Sequence, residues 1–277
     1  MATSIRSKLA VTITVAVIAV PLSARAAVLA QWHFDESTGA SAADATGSFP
    51  GVLSGTGSSF AAGGIVGNAV SLDGAQNGYV SMGNVLPFAT GDFSLVVWVN
   101  TLATQGVAAV AKHESFSENG YFIAINQTGG GGQLGKATFV ASEFVAMGVT
   151  STTSVNDGAW HQIVGVYHDG GDEEIYVDGV PVEATGASEP MVPNSAPFLI
   201  GAVNSSGTPQ GGYTGLIDEV QVYDQALTAS HVAFLYEYPA HTVPEPGHAE
   251  AVAAAALAIA AHARRRPISR LARITRV

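Results

Sequence analysis

The sequence predicts an all-β domain that folds as a sandwich of two antiparallel sheets. Glycine accounts for 32 of the 277 residues, and Asn-Gly, Asp-Gly and Gly-Gly pairs recur along the chain. The apolar runs between these pairs are short, as expected for strands separated by turns. About a dozen such runs follow one another at the spacing typical of a two-sheet sandwich. Helical periodicity is confined to one short segment near the end of the domain.

The charge distribution argues against nucleic acid as a partner. Hydrophobic residues make up 47% of the chain and charged residues 12%, which excludes wholesale disorder. Residues 27–240 contain two basic residues, Lys112 and Lys136, against 20 acidic ones, a net charge of 2 − 20 = −18. Such a surface repels nucleic acid and anionic lipid and favours cations. Solubility or a salty habitat would explain the acidity equally well.

The N-terminus has the features of a secretory signal peptide. Arg6 and Lys8 precede an apolar run at 9–20, and an Ala-Arg-Ala sequence ends at Ala26. A short apolar run followed by an A-x-A site predicts cleavage after Ala26, and the run is too short to span a bilayer. We therefore expect export of the mature protein.

Three regions follow from these signals: a signal peptide at 1–26, one domain at 27–238 and a tail at 239–277. The chain contains no cysteine, so disulfides and thiolate zinc sites are excluded. A domain of this size can bury enough surface to fold without them.

The strands are predicted from the apolar runs in chain order. The run FSLVVWVN is typical of a strand buried between two sheets. The predicted strand segments lie at 28–34, 68–74, 79–83, 93–100, 106–113, 121–127, 136–141, 159–169, 173–184, 198–202 and 215–227.

Turn and cap residues predict the connections. The segments 68–74 and 79–83 flank Gly-Ala-Gln-Asn and suggest a hairpin, and Asp178 and Gly179 predict a type I′ hairpin turn. The four-glycine run after 121–127 indicates a hairpin tip, because no Lys-Ser/Thr or helix follows it as in a phosphate loop. Thr228 is placed to cap a short C-terminal helix.

Six of these pieces occur in an order that resembles a known family. The segments QWHFDE, SLDGAQNGYVSMG, FSLVVWVN, WHQIVGVYHDGGDEEIYVDGVPV, FLIGA and GLIDEVQVYDQALT resemble the laminin G-like, concanavalin A-like jelly-roll modules of secreted bacterial proteins. The similarity covers about residues 28–237. It implies one jelly-roll sandwich, in a family dominated by carbohydrate and matrix binding and often holding one calcium ion.

The acidic residues do not form a glycosidase pattern. Glycosidases of this architecture need two carboxylates at alternate positions of one strand, whereas Asp172, Glu173 and Glu174 are consecutive beside a turn and are expected to be solvated. No Gly-x-Ser-x-Gly elbow is present. His161 is expected to be a packed or hydrogen-bonded sheet residue, and His33 a residue on the less apolar face of its strand. We therefore expect no catalytic residues.

Calcium is the expected cofactor, and the loop at 73–78 is one candidate site. Calcium takes six to eight oxygen atoms from carboxylates, amides and turn carbonyls. The loop offers the Asp73 carboxylate, the amides of Gln76 and Asn77, and several carbonyls. Without a cation, Asp73 would form an Asx-turn.

The other candidate ligand is Asp218. If Leu216, Val220 and Val222 point inward, alternation places Asp218 inward as well, where a carboxylate needs a cation or several N–H donors. The family resemblance implies Asp73 and Asp218 as contributors and Asp35 as a third. The candidate metal set is Asp35, Asp73, Asn77 and Asp218.

Sugar binding would use aromatic faces and amide side chains at loop edges. Five residues meet this description, although tyrosines on strands often pack in cores instead. They are Tyr79, Tyr121, Asn126, Asn204 and Tyr213.

The C-terminal tail resembles the PEP-CTERM sorting signal of Gram-negative bacteria. A Val-Pro-Glu-Pro sequence precedes an apolar stretch of 11 residues at 251–261, shorter than the roughly 20 needed to span a bilayer, and three arginines follow. The resemblance implies transient membrane association, processing by an exosortase, and delivery to the cell surface, outer membrane or extracellular matrix. An Ala-rich tail without a sorting role is the alternative. The motif residues are Val243, Pro244, Glu245, Pro246, Arg264, Arg265 and Arg266.

Together these features predict an exported, non-enzymatic surface or matrix protein whose lectin-like domain binds a glycan, a matrix component or a protein partner. Two alternatives are a glycan-active hydrolase with a divergent site and a purely structural matrix scaffold.

Overall fold

The computed structural model describes residues 26–115, 119–127, 133–141, 148–170, 172–185 and 191–244. These residues form eighteen strands and one helix: β1 (Val28–Trp32), β2 (Ser41–Ala42), β3 (Gly51–Ser54), β4 (Ser58–Ala62), β5 (Asn68–Asp73), β6 (Tyr79–Ser81), β7 (Phe93–Asn100), β8 (Val107–Glu114), β9 (Asn119–Ile125), β10 (Lys136–Ala141), β11 (Val149–Ser154), β12 (Trp160–Tyr167), β13 (Glu173–Val177), β14 (Val180–Thr185), β15 (Leu199–Ile200), β16 (Ala202–Ser205), β17 (Thr208–Gly211), β18 (Thr214–Tyr223) and α1 (Ala229–Glu237).

The strands form two sheets, which confirms the predicted sandwich. Sheet 1 has the order β14-β13-β12-β7-β18-β5-β4, and β1 also pairs with β18. Sheet 2 has the order β11-β10-β9-β8-β15-β6-β3-β2, and the β16–β17 hairpin joins it through β8. The long strand pairs are antiparallel, and β16 meets β8 at a single parallel pairing.

The main core lies between the sheets and is rich in aromatic side chains. Phe93 packs against Tyr121 at a centroid distance of 4.9 Å, and Trp32 stacks on Phe198 at 5.4 Å. All four rings are almost completely buried. Such large apolar surfaces supply much of the stabilisation of a chain that has no cysteine.

Helix α1 covers the outer face of sheet 1, so the central strand β7 is buried on both faces. Val232 and Leu235 of the helix pack with Val96 of β7 and Val164 of β12. The predicted cap is confirmed, because the Thr228 hydroxyl accepts the His231 N–H at 3.3 Å. This second layer explains why FSLVVWVN is apolar at nearly every position.

One predicted turn is confirmed and one predicted hairpin is wrong. Asp178 and Gly179 have φ angles of 53° and 79°, as a type I′ turn requires, and they join β13 to β14. In contrast, β5 pairs with β4 and β18 in sheet 1, whereas β6 pairs with β3 and β15 in sheet 2. The 74–78 loop therefore crosses between the sheets instead of closing a hairpin.

Most of the predicted sorting features lie outside the described residues. These features are the signal peptide up to residue 25, Glu245, Pro246 and the arginines at 264–266, whereas Val243 and Pro244 follow the domain within the described part. None of the helices in the part of the chain that the structure describes is long and apolar enough to cross a membrane.

Candidate functional site

A groove of about 210 Å³ lies on the outer face of sheet 2, between strands β8 and β9 and the β16–β17 hairpin. Antiparallel pairing sets Ala111 beside Phe122 and Ala108 beside Ala124. The small alanine side chains leave a depression beside the larger Phe122 ring. The lining residues are Gly106, Val107, Ala108, His113, Ser115, Phe122, Ala124, Gln127 and Val203.

The floor of the groove is an apolar cluster that is separate from the core between the sheets. Ala108, Ala111, Phe122 and Ala124 belong to it, and Val203 of the hairpin packs against it. A register shift between Ala108 and Val110 in β8 changes the alternation at this point. An apolar floor beside polar side chains is typical of a ligand-binding groove.

His113 places a polar ring against the aromatic ring of Phe122. Its imidazole meets Phe122 edge-on, with centroids 4.9 Å apart and an interplanar angle of 78°. The side chain is buried, and its Nε2 atom has no hydrogen-bond partner among the residues the structure describes. Burial lowers the pKa of His113 to about 4, so the ring is neutral at physiological pH. A neutral imidazole can donate one hydrogen bond and accept another.

Glu114 attaches the hairpin to the end of β8 and thereby fixes one side of the groove. Its carboxylate accepts a hydrogen bond from the Asn204 side-chain amide and another from the Ser206 N–H at 2.7 Å. The Ser115 N–H donates to the Asn204 carbonyl at 2.9 Å. The side-chain Oδ1 of Asn204 is buried and lacks a partner within the described residues.

Of the five residues predicted to bind sugar, Asn204 is the one placed next to the groove. Tyr121 and Tyr213 are buried in the core between the sheets, and the Tyr121 hydroxyl donates to the Leu86 carbonyl at 2.8 Å. Tyr79 is half-buried on the outer face of sheet 2, because its neighbour Val80 faces the core. It lies two strands from β8, about 10 Å away.

Asn126, another of the five residues predicted to bind sugar, is buried and uses its side-chain amide to hold loops together. It is fully buried with a φ angle of 59°, and its amide nitrogen donates to the carbonyls of Ala103 and Gln105 at 2.7 and 3.2 Å. Its amide oxygen accepts the Gly135 N–H at 2.6 Å. Asn126 therefore ties the loop after β7 to the loop before β10.

The four candidate metal ligands lie at two separate places. Asp35 and Asp218 lie near the start of β5, where the Asp35 carboxylate accepts the Asn68 N–H at 2.9 Å. Asp73 ends the same strand, about 17 Å along it, and Asn77 is in the following loop. The Asp73 carboxylate accepts the Ala75 N–H at 2.9 Å, as in an Asx-turn. One ion cannot contact all four residues.

Asp218 is fully buried as predicted, but it faces the other side of the sheet. Glu219 has a φ angle of 46°, and the β7–β18 register shifts between Asp218 and Gln221. This bulge breaks the alternation, so Asp218 lies opposite Trp98 on the outer face of sheet 1. Its carboxylate accepts the Glu219 N–H at 2.8 Å and the Val66 N–H at 3.2 Å. Burial raises the pKa of Asp218 to about 8.

Two further acidic residues, Glu173 and Glu219, are fully buried, which the sequence did not indicate. Glu219 contacts Nδ1 of His33 at 2.9 Å, and this hydrogen bond raises the pKa of His33. Glu173, which was expected to be solvated, is fully buried and accepts the Ala141 N–H at 2.9 Å. His161 is hydrogen-bonded as expected, with Nδ1 2.8 Å from an Asp178 carboxylate oxygen. Over the described ranges, no three histidine, aspartate or glutamate side chains gather as a metal site.

The sandwich of two antiparallel sheets is a lectin-like fold. Residues 73–233, more than half of the chain, match the laminin G-type family of the Concanavalin A-like lectin/glucanases superfamily. The chain belongs to this family, as the order of its segments predicted. No curated protein sequence matches it.

Several solved structures share the fold. Domain 4 of AbnA, an extracellular GH43 arabinanase from Geobacillus stearothermophilus, in complex with arabinotriose, is 23% identical with a TM-score of 0.55, covering 76% of this chain and 99% of that one. The botulinum neurotoxin serotype D ligand-binding domain in complex with N-acetylneuraminic acid is 11% identical with a TM-score of 0.56, covering 76% and 50%. The binding domain of Paraclostridial Mosquitocidal Protein 1 is 14% identical with a TM-score of 0.57, covering 76% and 51%. At these identities the likeness concerns the fold.

Proposed function

We propose that this protein is an exported, non-enzymatic surface or matrix protein that binds carbohydrate through the groove on sheet 2. The observation that carries the proposal is the groove itself, where the largely buried rings of Phe122 and His113 border an apolar floor. An aromatic ring packs against the C–H face of a sugar, and the imidazole can exchange hydrogen bonds with its hydroxyls. The Nε2 atom of His113 has no partner among the described residues and is shielded from solvent, so a turn of the imidazole would bring it to a ligand hydroxyl.

The comparisons support a binding role without naming the ligand. The related AbnA domain was solved with arabinotriose and the neurotoxin domain with N-acetylneuraminic acid. A further neurotoxin binding domain of this fold was solved with rat synaptotagmin II, so a protein partner is the second candidate. The groove favours the glycan, because a volume of about 210 Å³ suits a small ring better than a protein surface.

Binding without hydrolysis is favoured by the chemistry of the groove. Glycoside hydrolysis usually requires two carboxylates beside the scissile bond. The described residues that line the groove include no carboxylate, and the nearby Glu114 is hydrogen-bonded to Asn204 and Ser206. We therefore expect retention of polysaccharide without release of reducing ends.

The binding test compares the wild-type protein with two variants on a polysaccharide panel. Phe122→Leu keeps the apolar floor but removes the ring, and Tyr238→Leu makes the same type of change at an exposed tyrosine near the end of α1. We expect Phe122→Leu to weaken binding at least tenfold and Tyr238→Leu to leave it unchanged. Equal binding by all three proteins would reject the groove, and retention on no polysaccharide would reject glycan binding.

We further propose that calcium binds at the 73–78 loop. The carbonyl oxygens of Ala75, Gln76 and Gly78 crowd around Gly211, whose N–H donates to the Gln76 carbonyl at 2.7 Å, so the loop gathers several oxygen atoms in a small space. Calcium prefers such neutral and anionic oxygens, and Asp73 and Asn77 border the same loop. Calcium should therefore raise the melting temperature of the wild-type protein and of Asp218→Asn but not of Asp73→Ala. An unchanged wild-type value would remove the calcium proposal.

Export and sorting are proposed from the two chain ends. The signal peptide would direct export, and the Pro-Glu-Pro motif with its arginines would direct processing by an exosortase at the membrane. Mass spectrometry of the protein from cells with and without the exosortase tests this proposal. A tail retained in both strains would contradict it.

A further inference from the structure

Cationic side chains are scarce throughout the domain and are directed away from the groove. Residues 27–240 contain no arginine and only two lysines. Lys112 is buried, and its ammonium donates to the Asn84 side-chain oxygen at 2.8 Å and to the Ala196 carbonyl at 2.6 Å. Lys136 donates to the Thr152 carbonyl of β11 at 2.6 Å, which directs it away from β9. Neither lysine lines the groove.

The groove offers neutral polar groups instead. His113 stays uncharged at physiological pH because it is buried, and Ser115 and Gln127 are neutral at every pH of interest. Protein sites for carboxylates, sulfates and phosphates usually contain arginine or lysine, which pairs with the anion in a charge-assisted hydrogen bond. The described lining provides no such partner.

The negative charge of the surrounding domain also disfavours an anionic ligand. Twenty acidic residues against two lysines in 27–240 produce a negative potential around the domain. An anionic sugar would enter against this potential and would lose its hydration without gaining a counter-charge, which is strongly unfavourable. A neutral sugar is not repelled by the negative potential and has no charge to be stripped of its hydration.

The volume limits the size of the ligand unit. Pockets for drug-sized molecules measure about 300–1,000 Å³, and the groove measures about 210 Å³. This space suits one sugar ring, with its C–H face on Phe122 and its hydroxyls near His113 and Gln127. The remaining sugars of a polysaccharide would lie outside the groove.

We infer that the groove selects a neutral sugar unit and excludes glycans bearing carboxylate or sulfate groups. This inference rests on the proposed carbohydrate-binding function and adds the class of sugar. It makes Gln127 a specificity position, because a cation placed there would give the groove the anion partner that it lacks.

The test uses a matched pair of polysaccharides and the whole exported protein. A neutral polysaccharide that binds is selectively oxidised at its primary hydroxyls to carboxylates, and both forms are titrated by calorimetry at 20 and 200 mM NaCl. We expect the oxidised form to bind at least tenfold more weakly. Gln127→Lys should recover part of this loss, with the larger recovery at low salt. Gln127→Ala is the control that removes the amide without adding charge.

The outcomes separate this inference from the proposed function. Equal or tighter binding of the oxidised form, abolished by Phe122→Leu, would overturn the neutral-sugar inference and leave the groove as the glycan site. Failure of Gln127→Lys to improve binding of the oxidised form would also count against the inference. Absence of binding to every neutral and anionic polysaccharide would overturn the proposed function itself.

Discussion

Replacement of Asp218 by asparagine should stabilise the protein above pH 5. Asp218 is fully buried on the outer face of sheet 1 and accepts the backbone N–H groups of Glu219 and Val66. These bonds do not offset its desolvation, and the pKa of Asp218 is raised from 3.8 to about 8. An asparagine oxygen can accept a hydrogen bond and never ionises.

The size of the effect follows from proton linkage. Well below pH 3.8 the carboxyl is protonated in both folded and unfolded states, and its pKa shift has no effect on stability. Between pH 3.8 and about 8 the folded protein retains a proton that the unfolded chain has released, so wild-type stability falls as the pH rises. The wild-type free energy of unfolding falls by about 6 kcal/mol over this whole pH range, and about 4 kcal/mol of this fall occurs between pH 5 and 8.

Urea denaturation of the wild-type protein and Asp218→Asn at pH 5 and pH 8 measures this difference. The stability advantage of the variant should grow by about 4 kcal/mol between the two pH values. Asp169→Asn, at an exposed position, is the matched control and should show no such growth. A constant difference between wild type and Asp218→Asn would refute the assignment of a raised pKa to this carboxyl.

Three other changes test separate parts of the structure. Asn126→Ala should lower the free energy of unfolding in urea by about 3–4 kcal/mol, because it removes the side-chain hydrogen bonds and places alanine at a positive φ. Asn126→Gly should lower it by about 1 kcal/mol less, since glycine tolerates that φ, and equal losses for the two variants would contradict the φ contribution. Glu114→Ala should release the β16–β17 hairpin, destabilise the fold by about 1–3 kcal/mol and weaken glycan binding several-fold, so unchanged binding would separate the hairpin from the site. Burial lowers the pKa of Lys112 from 10.5 to about 8. Between these pH values the unfolded chain holds a proton that the folded protein has released, so the free energy of unfolding of the wild type should rise with pH by about 3 kcal/mol relative to that of Lys112→Met. A difference that does not change with pH would contradict this shift.

The sequence predicted the features that depend on local signals. The apolar run of β7, the turn at Asp178 and Gly179, and the helix cap at Thr228 each depend on neighbouring residues and their backbone angles. Strand partners do not depend on neighbouring residues alone. The segments at β5 and β6 looked like a hairpin because of their spacing, yet they belong to different sheets.

The candidate site was harder to predict, because burial and face are set by tertiary structure. Tyr121 and Tyr213 lie near loops in the sequence but contribute their rings to the core. The bulge at Glu219 turned Asp218 to the opposite face, which no alternating pattern could show. The groove itself depends on small residues such as Ala108 and Ala124, whose significance appears only when β8 and β9 pair. Alternating alanines beside Phe122 and His113 were the available signal.

Calorimetric titration of a panel of neutral polysaccharides against wild type, Phe122→Leu and Tyr238→Leu tests the central claim most directly. The groove account predicts that at least one polysaccharide binds the wild-type protein and Tyr238→Leu equally, and that Phe122→Leu loses at least tenfold in affinity, about 1.4 kcal/mol. Retention of full affinity by folded Phe122→Leu would contradict the account and place glycan binding elsewhere on the sandwich.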